Sequence, residues 1–451
     1  LFLTGGQSYL LRMKKYYNAL MKGLLLLVAV FGATSASAKW EKVYDLTSTY
    51  ACHVTKSGNI LLSDYQYMDY SGGIYISEDN GQTWTKTDVE DHCYSSFYAA
   101  GDYIFAAGEG CCLARSADEG KTWEVLSFAY VYADYLTEDE LFYNPCYAIA
   151  YHKGKLYVGD FNGGGVAYSE DFGETWALTD RESLMYDISG GKAPALKDEK
   201  PTKVMENFYN MVSFNDDLYL FGVYFVYRLN EETGLWETIR SDSNFMGITT
   251  IFNDTLVCGR SVMNYGDHVP FLETTQNGDE WGEVKRPEGM LDNNVRTMSS
   301  DATNLYVGLQ QGGMYYTPDF GDTWHFISEG LPHDANGTYY TLLSLVNTDD
   351  YLYVAVYDSP WAGNSLSGLY RMAKSDLPKV SVDALPMDEV EVYVEGGNLV
   401  VSGDYQHVAI STLQGVTYQV EIIDGKADIS SLDKGIYIYA LDRNRVGKFV
   451  K

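Results

Sequence analysis

Positive charge is what this chain has least of. Its 451 residues carry 32 Lys and Arg against 62 Asp and Glu, a formal net charge of −30. Such a surface repels phosphate backbones and anionic lipid headgroups, so neither nucleic acid nor an anionic membrane is expected as a partner. The same charge favours solubility outside the cell. Long apolar runs are lacking too. Gly23–Val30 is too short to span a bilayer, and no later run is long enough. Histidine and cysteine are few, at 7 and 6. Asp91-His92-Cys93 groups three ligand types, but no second cluster stands at ligand spacing, so no metal and no cofactor is expected.

What the chain does have begins with an export leader. Met13-Lys14-Lys15 supplies a charged start, Gly23–Val30 an apolar segment, and Ala36-Ser37-Ala38 a small-residue cleavage site. No cysteine lies at that site, which argues against a lipoprotein anchor. Residues 1–38 are therefore read as upstream residues and a cleaved leader. The mature chain is expected to start near Lys39 in the periplasm, at the cell surface or secreted, with no transmembrane segment. Six cysteines in an exported chain permit disulfides. Cys52, Cys93 and Cys146 sit near the starts of strands, Cys111-Cys112 opens another, and Cys258 lies inside one.

A Ser/Thr-x-Asp-x-Gly-x-Thr-Trp phrase then recurs along the chain. Clear copies run Ser77–Trp84, Ser116–Trp123, Ser169–Trp176 and Thr317–Trp324. Two are worn: Thr274–Trp281, with Gln276 and Glu280 at the key positions, and Asn230–Trp236. Short Asp and Ser side chains bond nearby backbone N–H groups, and Gly supplies the positive φ of a tight turn. Asp79, Asp118, Asp171 and Asp319 are accordingly structural. The phrase resembles the Asp-box, or BNR, repeat of β-propellers.

Each box is preceded by a short apolar strand phrase, as in Leu156-Tyr-Val-Gly159 and Leu305-Tyr-Val-Gly308. Tyr351–Val356 is a seventh copy and leads to Gly368–Arg371, where no box follows. Trp40-Glu-Lys-Val43 reads like the strand after a box, so the N-terminal strand should complete the seventh blade and close the ring. Trp40, Trp84, Trp123, Trp176, Trp236, Trp281 and Trp324 then hold one position per blade, and only Trp361 of the 8 Trp is left over. The expected fold is all-β: a seven-bladed β-propeller over 39–378, closed by the N-terminal strand, followed by a small C-terminal β-sandwich over 379–451.

That tail is strand-rich. Val390–Val394, Asn398–Val401, Val408–Thr412, Thr417–Ile423, Ile436–Leu441 and Lys448–Lys451 read as strands. Its ending, Ile429–Tyr437 and then Lys448–Lys451, resembles the sorting domain of the Bacteroidetes type IX secretion system. The Pro-Asn-Pro start of that family is replaced here by Glu391–Gly397, so a non-sorting relative of the domain stays equally open.

In Asp-box propellers the box caps one face, and the resemblance implies that inter-blade loops and second-to-third-strand loops gather on the other, around the channel mouth. The long insertions fall there: Leu126–Pro145, Ala177–Glu206, Ser261–Pro270 and Ser359–Ser367. The first is rich in aromatics, including Tyr130, Tyr132, Tyr135, Phe142 and Tyr143. Trp361 stands in the last, where an aromatic face could stack on a sugar or a peptide side chain. Aligned blades place the ends of the second strands, Asp64, Glu109, Asp160, Arg260 and Asp358, near the mouth. They place the starts of the inner strands, His53, Tyr94, Tyr147, Tyr209 and Arg296, beside them. Asp64, Glu109, Asp160 and Asp358 are the catalytic candidates, since a carboxylate pair hydrolyses glycosides. Trp361, Tyr94, Tyr147, Tyr209, Arg260 and Arg296 are the ligand-binding candidates.

Asp-box propellers include sialidases, xyloglucanase-type hydrolases, assembly factors and sorting receptors, so the fold does not choose among them. Arg181, Arg240, Arg260, Arg286 and Arg296 are enough for a sialidase triad, but the Arg-Ile-Pro motif is absent and sialidases have six blades. Val295–Tyr315 resembles blades of xyloglucanases and photosystem assembly factors, yet those xyloglucanases cleave between two propellers and one is present here. The reading is an exported envelope module that binds glycan or protein on the loop face. A glycoside hydrolase is the first alternative, and an assembly or docking protein the second.

Overall fold

The computed structural model describes residues 39–45, 49–66, 71–89, 92–142, 145–161, 163–185, 207–223, 225–241, 247–260, 270–290, 292–358, 366–378, 392–402, 405–412, 417–432, 434–441 and 445–451. Residues 1–38, on which the expected leader falls, Tyr143, Trp361 and most of the loops 177–206, 261–270 and 359–367 lie outside them. The chain divides into two compact units, 1–378 and 379–451.

Seven four-stranded antiparallel sheets make up the first unit, and it is a seven-bladed propeller. In blade 1 the strands run outward as Thr49–Val54, Ile60–Gln66, Ser71–Ser77 and Thr85–Lys86. Blades 2 to 6 repeat that order, with inner strands Tyr94–Ala100, Ala148–His152, Phe208–Phe214, Ile248–Phe252 and Val295–Ser300. Blade 7 joins the two ends of the unit. Its inner strands are Thr341–Asn347, Tyr351–Tyr357 and Gly368–Ala373, and Glu41–Tyr44 pairs with the last of these as the outer strand. The second strands are buried at nearly every position, because each is covered on both sides by neighbouring blades.

Four boxes are built alike. In the first, Ser77 Oγ accepts the Gly81 N–H at 2.8 Å, and Asp79 accepts the Thr83 N–H at 2.8 Å and its hydroxyl at 2.6 Å. The same bonds recur at Ser116/Asp118, Ser169/Asp171 and Thr317/Asp319. Two successive residues take positive φ, not Gly alone: Asn80, Glu119, Phe172 and Phe320 precede the glycines at φ 53–62°. The worn box of blade 5 uses different residues from those the spacing suggests. Thr275, one position later than Thr274, accepts the Gly278 N–H at 2.8 Å, and Asn277 in place of Gln276 accepts two more amides. In blade 4, Asn230 Oδ1 accepts the Glu232 and Thr233 amides, and the Thr233 hydroxyl accepts that of Leu235.

The blade tryptophans differ in depth. Trp40 is 1% exposed and donates its indole N–H to Ile327 O at 2.6 Å. Trp236 is equally deep, whereas Trp84, Trp123, Trp281 and Trp324 are only half-buried.

The second unit is a seven-stranded antiparallel sheet in the order Val392–Glu395, Asn398–Val401, Lys426–Asp428, Thr417–Ile423, His407–Thr412, Ile436–Leu441, Arg445–Val450. It curls around Leu399, Val408, Ile410, Ile429 and Tyr437 as a sandwich-like core. The strand Lys426–Asp428 was not expected from the sequence, being only three residues long.

Candidate functional site

The inner strands begin on the face opposite the boxes, and there five of the seven carry an irregularity. Register shifts by one residue or more in blades 1, 2, 4, 6 and 7. A bulge leaves a residue unpaired and re-aims its side chain. In blade 4 the skipped residue is Tyr209, between Phe208↔Gly222 and Asn210↔Phe221. In blade 6 it is Arg296, between Val295↔Leu309 and Thr297↔Gly308. In blade 1 the irregular stretch is Tyr50–Ala51. That shift corrects the alignment of His53. His53 is the penultimate residue of its strand, near the box face beside Phe97, and Tyr50 takes the place expected for it.

The residues so presented form one constellation. Tyr147, just ahead of the blade 3 inner strand, shares a hydroxyl–hydroxyl hydrogen bond with Tyr50. Burial pushes the Tyr147 hydroxyl far up, helped by Tyr50 and the Glu109 charge. Burial raises Tyr50 as well, and the Arg296 guanidinium partly opposes it, with Glu109 and Tyr357 also acting on that hydroxyl. Tyr147 and Tyr209 stack with centroids 6.3 Å apart and planes 5° from parallel. Phe161 stands edge-on to both, at 5.5 and 5.1 Å. Neutral phenols, one guanidinium, one carboxylate and a three-ring wall can hydrogen-bond, stack and neutralise charge on a ligand.

The other expected residues are employed differently. Asp160 is fully buried, and its two oxygens accept the Gly163 and Gly164 N–H groups at 2.8 and 2.6 Å. Arg181 donates to the carbonyls of the same two glycines and lies 3.6 Å over the Tyr135 ring. Asp358 is 3% exposed and ties the base of its loop through Leu366 and Ser367. Asp64 acts electrostatically on Tyr44 of the closing strand. Glu109 is buried and is the candidate carboxylate whose charge acts on the mouth tyrosines. Arg260 is held in a buried pair with Glu273, at 2.6 and 2.7 Å, and Arg240 bonds the other oxygen of Glu273 at 2.9 Å. Tyr94 is wholly buried among Ile74, Val89 and Ala106. Trp361 lies outside the described residues.

Tyr50, Phe161 and Tyr357 escaped the sequence reading. Phe161 and Tyr357 adjoin Asp160 and Asp358, and Tyr50 lies three residues before His53; bulges and turns decide which of them faces the mouth. Elsewhere, Ser213, His152 and Glu231 are linked in triad order at 2.7 and 2.7 Å. Thr250–Ser300 and Asn347–Ser299 make comparable bridges between other blades. The Ser213 contact is one stitch in that inter-blade series. Among the described residues no three His, Cys, Asp or Glu side chains group as metal ligands, and no helix is long and apolar enough to cross a membrane.

Comparison with known proteins agrees with this architecture. The BNR/Asp-box repeat description matches residues 75–86. No curated protein is matched by sequence. Among solved structures, YCF48 bound to D1 peptide is similar at 15% identity and a TM-score of 0.50, over 74% of this chain and 96% of that one. The extracellular domain of BT4673 from B. thetaiotaomicron is similar at 10% identity and a TM-score of 0.51, over 91% of this chain. This chain spans 47% of that domain's length. At such identities the likeness is one of fold.

Proposed function

We propose that this chain is a non-catalytic binding module of the cell envelope, which takes a segment of protein or glycan at the loop-face mouth. The observation that carries this reading is the Tyr147–Tyr50 hydrogen bond, set beside Glu109 and Arg296 and walled by Tyr209 and Phe161. Hydrolysis of a glycoside needs two carboxylates free to work on one bond. Asp160 instead spends both oxygens on backbone amides, and Asp358 ties its own loop. Those commitments favour binding over catalysis. The peptide held by YCF48, a protein of the same fold, supports the polypeptide arm. The extracellular setting of BT4673 supports export.

The test is a paired screen of Lys39–Lys451 on glycan and peptide arrays, with Tyr147→Ala, Arg296→Ala and Trp361→Ala alongside. Binding to one class, weakened roughly tenfold or more in Tyr147→Ala, is expected. Undiminished binding in all three variants would remove the mouth from the account. Glycan cleavage that stops in Glu109→Gln would replace this reading with the hydrolase.

A further inference from the structure

Two cysteines from neighbouring blades meet beneath this mouth. Cys111 closes the turn between the second and third strands of blade 2, at φ 53°, where the Cys112 N–H bonds Glu109 O at 3.1 Å. Cys146 ends the insertion that joins blades 2 and 3, and its N–H bonds Gly108 O at 3.2 Å. The two segments are thus already tied through the backbone. Both side chains sit in one apolar cluster with Phe128, Tyr132 and Leu136, at 3% and 0% exposure. There the two sulfurs interact as buried free thiols.

We propose that Cys111 and Cys146 form a disulfide when the chain folds in an oxidising compartment, clamping together the segments that present Glu109 and Tyr147. The inference takes from the proposed function only the export, and nothing about the ligand. Glu109 lies two residues before one sulfur, and Tyr147 directly follows the other. The bond closes by exchange with a small-molecule or protein disulfide. One protein thiolate attacks the oxidant's S–S bond, and the second displaces the mixed disulfide. Two electrons pass to the oxidant, and the two protein protons end on the two thiols it releases. Timing matters. The neighbouring sulfur and burial hold the Cys146 thiol well above its ordinary range, so once packed that sulfur offers almost no thiolate for the exchange. Closure therefore belongs to folding, before the insertion 126–145 packs down.

The experiment compares the full chain secreted to a bacterial periplasm with the same chain made in a reducing cytosol, both denatured and alkylated. The secreted chain should alkylate at four of its six cysteines and be lighter by about 2 Da before alkylation. The cytosolic chain should alkylate at all six. Trypsin leaves Cys93, Cys111 and Cys112 on one peptide, residues 87–115, and Cys146 on another, 122–153. Those peptides should be linked in the secreted chain, and Cys111→Ser should abolish the link. Reductant should lower the secreted chain's melting midpoint by roughly 5 °C or more. Six alkylated cysteines in the secreted chain would overturn the proposal, as would a link that survives Cys111→Ser. If that variant does not fold, fragmentation of the linked pair identifies the bonded sulfur directly.

Discussion

The two faces of the propeller are opposite ends of the same strands, yet they are constructed on different terms. On the box face, four turns repeat one set of hydrogen bonds, each closed within eight residues. On the mouth face the described residues are used in several different ways. Blade 3 spends an aspartate on a glycine turn, blade 5 buries an arginine against Glu273, and blades 4 and 6 use a bulge to expose Tyr209 and Arg296. Local closure makes the hydrogen bonding of the box face uniform. Long-range packing makes the mouth face individual, and individuality is what a binding surface needs.

The sharpest way to break this contrast is at the closing blade, which has the tryptophan but no box. Trp40 depends on Ile327 O and a buried cluster drawn from blades 6 and 7. Trp40→Ala should cost about 3–5 kcal/mol in urea unfolding. Trp84→Ala, on a half-buried ring inside an intact box, should cost about 1–2 kcal/mol. Equal losses would mean that the box gives its tryptophan no independence.

Glycines sharpen the comparison further. Gly120 and Gly234 both hold positive φ, at 86° and 71°. A Cβ on Gly120 would stand 2.5 Å from the Leu61 side chain of blade 1, whereas nothing lies within 4 Å of one on Gly234. Gly120→Ala should cost about 2–4 kcal/mol, combining backbone strain with overpacking. Gly234→Ala should show the backbone part alone, ~1 kcal/mol. The difference between the two unfolding midpoints reads the inter-blade contact.

Acid separates the face's components by pH. Burial lowers His53 from 6.5 to about 4, so the folded chain binds fewer protons than the unfolded one between those values. Its contribution is whole above pH 6.5 and lost as the pH falls toward 4, on the order of 2 kcal/mol once partial exposure is allowed for. His53→Gln should flatten that segment of the stability profile. The box carboxylates follow lower down. The Thr83 and Thr175 hydroxyls and amides hold Asp79 and Asp171 at about 2, so their contribution is present above pH 3.8 and fades toward pH 2. A profile flat from pH 7 to 4 in the unmodified chain would refute the His53 assignment.

The smallest stability effect is expected at the mouth itself. Tyr147→Phe removes one hydroxyl and its bond with Tyr50, and should shift unfolding by no more than about 1 kcal/mol. Its effect should appear in ligand affinity instead. A large loss of stability there would mean that the tyrosine pair is a scaffold element and not a contact surface.

Spacing made the propeller legible. The interval from Ser77 to Trp84 returns at Ser116, Ser169 and Thr317, and a turn that satisfies its own backbone can be recognised without its surroundings. The worn box of blade 5 shows where this stops. Thr274 and Thr275 are adjacent and chemically identical, and only the folded turn selects Thr275. The mouth rests on details that spacing does not carry. Tyr147, Tyr209, Arg296 and Glu109 were expected near it, while His53 was taken for Tyr50 because a bulge breaks the two-residue alternation by which strands are aligned.

By itself, then, the sequence determined the architecture: seven blades, the closing N-terminal strand around Lys42, and the face on which the boxes lie. These follow from hydrogen bonds and turns that span a few residues and repeat. Only the tertiary structure decided which side chains meet at the mouth. That Asp160 serves Gly163 and Gly164, that Arg260 serves Glu273, and that Tyr147 reaches Tyr50 two blades away depends on register and burial across blade boundaries. Contacts of that range leave no fixed spacing in the chain, because packing between sheets constrains shape and charge and not sequence separation.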